Sequence, residues 1–311
     1  MRQYDVDMRR AMADTLIELA NEGCPVFWLD ADLVASSGMG KFQKAFPHKI
    51  INCGIQEANM LGVASGLSEE GLIPFVHSFG AFASRRIADQ IFVSGVYAGQ
   101  NIRIIGSDPG ISAGPNGGTH CSLEDIGILR AMPKTVILEP CDPIQLKALL
   151  RESVMTKGIF YFRLMRKTKD QFYDNDAKFK IGKSSLFRDG QDAAIITAGN
   201  ICLKEAVKAA DELRSSGINV RIIDMFTIKP LDVEAVLKAA RETKAIVTLE
   251  NHNIMNGLGS AVAEVLAESR VAIPFARLGA PDCVGEVGTP AYLLEKFQMD
   301  AQAIVAWVKS L

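Results

Sequence analysis

Short apolar runs rich in β-branched and aromatic residues recur along this chain, each followed by a stretch with helical spacing. That alternation constrains the fold more than any other feature. Strands joined through helices pair in parallel, and a parallel sheet needs helices on both faces to cover it. The first series places strands at 26–29, 50–53, 73–76, 102–105, 135–138 and 160–163. Helical stretches follow at 57–68, 82–97, 123–130 and 143–154, after a first amphipathic helix marked by Met8, Met12, Leu16 and Leu19. The expected fold class is α/β, a doubly wound parallel sheet followed by a smaller α/β domain.

The pattern breaks at KTKDQFYDNDAKFKIGKSS, a polar stretch that reads as a linker. A second βα series then begins, with strands at 193–197, 219–224, 245–250 and 274–278 and helices at 202–215, 232–242, 259–268 and 301–309. The expected domains are 1–170 and 191–311, with 171–190 linking them. A length of 311 residues fits two domains better than one.

A net charge of -2 and the absence of a basic tract give no electrostatic case for nucleic acid or an anionic membrane. The N-terminal MRQYDVDMRRAMADTLIELA is polar and amphipathic, unlike a secretory leader, and no apolar run approaches a membrane span. The six cysteines stand singly, without metal-ligand spacing, and read as reduced thiols in a cytoplasmic protein.

In a doubly wound sheet, ligands bind at the carboxyl ends of the strands. Unusual residues concentrate there, at 30–37, 52–57, 77–82, 107–120 and 164–167. Three pieces stand out. NCGIQEANM puts Glu57 at the start of a helix, straight after a strand and a glycine turn. VHSFGAF carries Phe79 and Phe82, with Arg85, Asp89 and Gln90 beyond. GISAGPNGGTH carries Asn116 and His120. By residue type alone, Glu57 is more often a carboxylate favoured by the helix dipole, the phenylalanines are equally core, and the histidine is more often structural. The glycines of 114–118 fit neither a P-loop nor a dinucleotide fingerprint.

Together these pieces, in this order and spacing, resemble the pyrimidine-binding domain of transketolase. TAGN near Asn200 and IIDMFTIKPLD resemble the family's C-terminal domain, so the resemblance covers nearly the whole chain. It implies thiamine diphosphate as cofactor. Glu57 matches the glutamate that hydrogen-bonds the aminopyrimidine and favours the tautomer able to take the thiazolium proton; the protein sets tautomer, orientation and dielectric. Phe82 matches the aromatic stacked on the aminopyrimidine, Phe79 a second pocket wall, and Asp32 an aspartate near the cofactor. His120 matches a histidine beside the donor carbonyl, where imidazole can serve the developing alkoxide. Arg9, Ser36 and Arg166 stand where the family gathers ligands for a sugar phosphate.

The chain also departs from the family. Asp108 stands where a histidine is common, and Asn116 where an aspartate reads a donor hydroxyl, so a modified sugar donor is expected. The G-D-G and later asparagine that hold the diphosphate and its metal have no counterpart; Asp189-Gly190 lies in the polar stretch. The resemblance therefore implies half an active site. A separate N-terminal transketolase subunit is expected to bring the diphosphate and Mg2+, in an α2β2 assembly with two copies of this chain. The implied reaction is transfer of a two-carbon ketol unit from a ketose donor to an aldose acceptor. The competing readings are the β subunit of a 2-oxoacid dehydrogenase E1, an orphan non-enzymatic scaffold and deoxyxylulose-phosphate synthase.

Overall fold

The helix Met8–Asn21 forms where the spacing predicts it. Asp7 caps it by accepting the amide of Arg10 at 3.0 Å, and Met8, Met12, Leu16 and Leu19 are buried along one face. This computed structural model describes residues 2–311, which divide into two units. The first runs to Pro109 and resumes over Ile128–Ile181. The second comprises Gly110–Gly127 and Gly182–Leu311.

In the first unit the strands lie in the order Ile50–Asn52, Val26–Asp30, Ile73–Phe79, Ile102–Ser107, Ile159–Leu164, Thr135–Leu138, all parallel. The strand order reverses direction twice, beside Val26–Asp30 and again beside Ile159–Leu164. Such reversals splay the crossover helices apart and open crevices at the strand ends. The sheet interior is fully buried around Trp28, Phe75, Ile104, Tyr161 and Phe162. Burying each Phe or Ile there stabilises the fold by roughly 1.5–3 kcal/mol. A Cβ at Gly106 would lie 2.3 Å from the Tyr161 hydroxyl, so glycine makes room for that ring.

The stretch 82–97 is not the continuous α-helix its spacing predicts. It is a 3-10 turn Arg85–Ile87, a short α turn Ala88–Gln90 and a π-helical segment Ile91–Tyr97. The amides of Phe82 and Ala83 both bond to the Phe79 carbonyl, and the Ser84 hydroxyl bonds to the Gly80 carbonyl at 2.6 Å. These local bonds hold Phe82 in a tight turn and postpone the helix.

The second unit has a sheet in the order Phe275–Ala280, Ile246–Asn253, Ala193–Thr197, Val220–Asp224, Ser185–Arg188. The last strand runs antiparallel to its neighbour. It is only four residues long and begins at the end of the polar stretch that reads as a linker, so Leu186 and Phe187 are too short an apolar run to mark it as a strand. Asp189 pairs with Arg221 at 2.9 Å. A helix at Pro290–Lys296, capped by Thr289, also escapes the sequence pattern.

Candidate active site

Glu57 follows the short strand Ile50–Asn52. Gly54 turns the chain with a φ of +71°, a conformation that glycine adopts without strain, and the helix Glu57–Glu69 begins three residues on. The Glu57 carboxylate is 2% exposed. Its Oε1 accepts from the Ser78 hydroxyl at 2.8 Å, and its Oε2 from Arg86 Nη1 at 2.8 Å. A buried carboxylate needs such partners, and its place in the first helical turn adds a favourable dipole.

Phe79 and Phe82 meet edge to face, with centroids 6.4 Å apart and planes at 85°. The Arg86 guanidinium lies 3.9 Å from the centre of the Phe82 ring. A planar N–H donor over Phe82 therefore reaches the Glu57 carboxylate. Arg85 stands out in the sequence without a role, and Arg86 does not; adjacent arginines in a turn of irregular geometry give no periodicity by which to choose.

On the opposite side of strand Ile73–Phe79, His77 is fully buried. Its Nε2 is 3.1 Å from the Ser107 hydroxyl, and its Nδ1 is 3.5 Å from the Asp30 carboxylate. The Trp28 ring stacks on it at 5.5 Å and donates to Asp30 at 3.0 Å. Ser107 also donates to the Ser78 carbonyl at 3.3 Å. This network braces the backbone that presents Ser78. Its signal in the sequence is a polar residue near the carboxyl end of each of three mostly apolar strands, Asp30, His77 and Ser107.

A second cluster gathers at the other strand reversal. Arg166 donates to Asp108 Oδ2 through Nε at 2.9 Å and Nη2 at 2.5 Å, and its backbone amide donates to Oδ1 at 3.1 Å. Arg166 Nη1 reaches both the Ser36 hydroxyl and the Ser36 carbonyl, the latter at 3.0 Å. Arg9 pairs with Asp7 at 3.1 Å and lies 3.5 Å from the same carbonyl. Arg166 also sits 4.8 Å from the centre of the Phe79 ring. Asp32 is exposed and bonded to Asn52, whose amide donates to its carboxylate at 3.0 Å.

Asn116 and His120 belong to the second unit. Asn116 is exposed, and His120 Nδ1 is 3.0 Å from the Thr119 hydroxyl. The glycines of this loop serve close backbone approach. A Cβ on Gly114 would lie 2.5 Å from the Gly288 carbonyl oxygen, and one on Gly118 would lie 2.0 Å from that of Gly285. In the same unit His252 accepts from the Gly127 amide at 3.3 Å, with its Nδ1 2.7 Å from the Asn253 carbonyl, a fully buried structural arrangement.

Residues 5–170 match the model of the transketolase pyrimidine binding domain, and residues 182–304 match that of the transketolase C-terminal domain. The chain belongs to the transketolase family. It is 45% identical to the 6-deoxy-6-sulfo-D-fructose transketolase subunit SqwH of Clostridium sp. (strain MSTE9), over 96% of this chain and 92% of that one. It is 38% identical to an apulose-4-phosphate transketolase subunit of Phocaeicola vulgatus, over 88% of this chain and 87% of that one. A solved split gene transketolase, described as an inactive beta4 tetramer, superposes with a TM-score of 0.88 at 36% identity, covering 98% of this chain and 97% of that one.

A transketolase pyrimidine domain implies thiamine diphosphate, and the residues of the first unit fit its flat, N–H-bearing ring. The fit rests on Arg86, whose guanidinium is itself a flat N–H donor stacked on Phe82 and bonded to Glu57. Among the described residues no group of His, Cys, Asp and Glu could hold a metal ion, and no helix is long and apolar enough to cross a membrane.

Proposed function

We propose that this chain is the C-terminal subunit of a split transketolase that moves a two-carbon ketol unit from a ketose donor to an aldose acceptor. The observation that carries the proposal is the Glu57 carboxylate, 2% exposed, held by Ser78 at 2.8 Å and joined through Arg86 to the Phe82 ring. Thiamine diphosphate, when bound, supplies the carbon nucleophile for ketol transfer. Glu57 accepts a hydrogen bond from the aminopyrimidine edge and fixes its tautomer. Ser78 orients Glu57, and Phe82 and Phe79 wall the slot and exclude water. His120 and Asn116 contact the donor sugar, and Asp32 lies beside the cofactor.

Nearly full-length likeness to chains named as transketolase subunits supports a partner that contributes the diphosphate and Mg2+ site. The same likeness favours transketolase over an E1 β subunit. The buried, partnered Glu57 disfavours a non-enzymatic scaffold, since a buried carboxylate destabilises a fold that does not use it. The working assembly is α2β2 in the cytoplasm. One relative's name carries a sulfonated sugar and another's a phosphorylated one, so the relatives leave the sugar terminus open.

The test is co-expression with a transketolase N-terminal half and assay of ketol transfer. Activity is expected only in the complex, and Glu57→Gln is expected to reduce it by roughly 10²–10⁴-fold with the melting temperature held. Transfer by the isolated chain, or a fully active Glu57→Gln complex, would refute the proposal.

A further inference from the structure

In the first unit two guanidinium groups converge on one backbone oxygen. Arg166 Nη1 lies 3.0 Å and Arg9 Nη1 3.5 Å from the Ser36 carbonyl. Two cations brought to one acceptor repel unless anions stand nearby. The chain supplies those anions itself. Asp7 pairs with Arg9, and Asp108 grips Arg166 through two side-chain N–H groups and its backbone amide. Asp108 is held in the left-handed region at φ +47°, where aspartate is tolerated better than most residues. Its carboxylate is thus fixed in place, with Arg166 only 7% exposed.

A cavity of about 510 Å³ opens beside Arg9, lined by Val34, Ala35, Gly38 and Lys41 among others. A Cβ on Gly38 would lie 3.1 Å from Arg9 Cγ, so glycine lets the arginine stem pass. Contacts link this cluster to the candidate catalytic carboxylate without a break. Arg166 lies against Phe79, Phe79 against Phe82, Phe82 beneath Arg86, and Arg86 bonds Glu57. A sugar reacting beside Glu57 would extend its far end towards Arg166 and Arg9.

We infer that this cluster receives the far end of the sugar substrate and selects a terminus with one negative charge, a sulfonate, over a dianionic phosphate. The inference rests on the ketol-transfer reading and adds the substrate class. The cavity and cluster together hold four cations, Arg9, Arg10, Lys41 and Arg166, against three carboxylates, Asp7, Asp14 and Asp108. That leaves a surplus of one positive charge, which matches one negative charge. Desolvation of an ion grows with the square of its charge, while attraction grows only in proportion. With Asp108 cancelling Arg166, the attraction is too small to offset the desolvation of a dianion. Three oxygens on a singly charged tetrahedral group still suit the remaining N–H donors.

The test uses the complex with its N-terminal half and thiamine diphosphate, and two ketose donors that differ only in a terminal sulfonate or phosphate. The wild-type complex is expected to favour the sulfonate by about tenfold or more in kcat/KM. Asp108→Asn is expected to move that ratio towards phosphate by about tenfold, the scale of removing one like charge at contact distance. Calorimetric titration with inorganic phosphate gives an independent reading: binding is gained in Asp108→Asn, and in Asp108→Ser should the first variant misfold. A wild-type preference for phosphate, or variants that move neither the ratio nor phosphate binding, would overturn the inference. Turnover of neither donor, with phosphate binding still gained, would overturn the ketol-transfer reading and leave the charge selection standing.

Discussion

The Glu57 carboxylate holds the Arg86 guanidinium at 2.8 Å, and that guanidinium lies 3.9 Å over the Phe82 ring. One planar cation thus satisfies both a buried carboxylate and an aromatic face. In the proposed function those two surfaces serve a planar heterocycle, so Arg86 and the cofactor compete for one place. Arg86 is 43% exposed, whereas Glu57 is 2% exposed, so the arginine is the partner free to leave.

Arg86→Ala is therefore expected to tighten thiamine diphosphate binding to the assembled complex by about five- to tenfold. A charge-assisted hydrogen bond is worth about 1.5–3 kcal/mol, and the exposure of Arg86 reduces that to roughly 1 kcal/mol. Fluorescence or calorimetric titration of the cofactor measures the change. Weaker binding in the variant would mean that Arg86 stays in place and helps to hold the cofactor.

Ser78 is the second partner of Glu57, and strand geometry fixes it. Its neighbour His77 points to the opposite side, into the fully buried network with Asp30, Trp28 and Ser107. Ser78→Ala removes an orienting hydrogen bond to a charged group, worth about 1.5–3 kcal/mol. A roughly tenfold or greater fall in kcat is expected, with KM for the donor changed little. A shift confined to KM would place Ser78 in substrate binding instead.

The parallel sheet was legible because its strands are continuous β-branched and aromatic runs, and its first helix because Met8, Met12, Leu16 and Leu19 repeat at the helical period. Glu57 and the two phenylalanines were legible only through the family resemblance that their motifs carry, since residue type alone allows a structural reading of each. Arg86 was not, since its position depends on a turn made by the bonds of Phe82 and Ala83 to one carbonyl. The ion pair of Asp108 with Arg166 was not legible either. The two residues stand on different strand ends, and only the register of Ile102–Ser107 against Ile159–Leu164 sets them side by side. The strand Ser185–Arg188 was hidden by its shortness, since two apolar residues show no period and its pairing with Val220–Asp224 makes it a strand.

In the second unit, Gly118→Ala tests what the glycine-rich loop is for. The added methyl would lie 2.0 Å from the Gly285 carbonyl oxygen, and backbone cannot give way as a flexible side chain can. A loss of about 1–3 kcal/mol in stability is expected, the usual range for overpacking. Gly23→Ala is the comparison: nothing lies within 4 Å of its Cβ, so only the strain of its φ of +86° remains. Chemical denaturation of both variants separates steric conflict from backbone strain. No loss in Gly118→Ala would show that close approach to Gly285 is not what requires glycine at 118.

Cys121 closes the same loop and gives a pH dependence with a definite sign. It is 2% exposed, and burial, aided by the negative charge of Glu124, pushes its thiol from an ordinary 9.0 up to about 11. As pH rises through 9, the unfolded chain gives up this proton while the native chain keeps it. The native state then binds more protons than the unfolded state, so stability falls with rising pH across this window and levels off above it. The full effect is about 2–3 kcal/mol, since each pKa unit corresponds to about 1.4 kcal/mol. Cys24, Cys53 and Cys283 are pushed in the same direction, so the raw curve mixes their contributions. Subtracting the curve of Cys121→Ala isolates this thiol, because the cavity left by the substitution adds an offset that does not vary with pH. Denaturant midpoints from pH 8 to about 11 are expected to fall more steeply in the wild type than in the variant. Parallel curves would mean that Cys121 titrates at its ordinary value and that the loop does not exclude water from it.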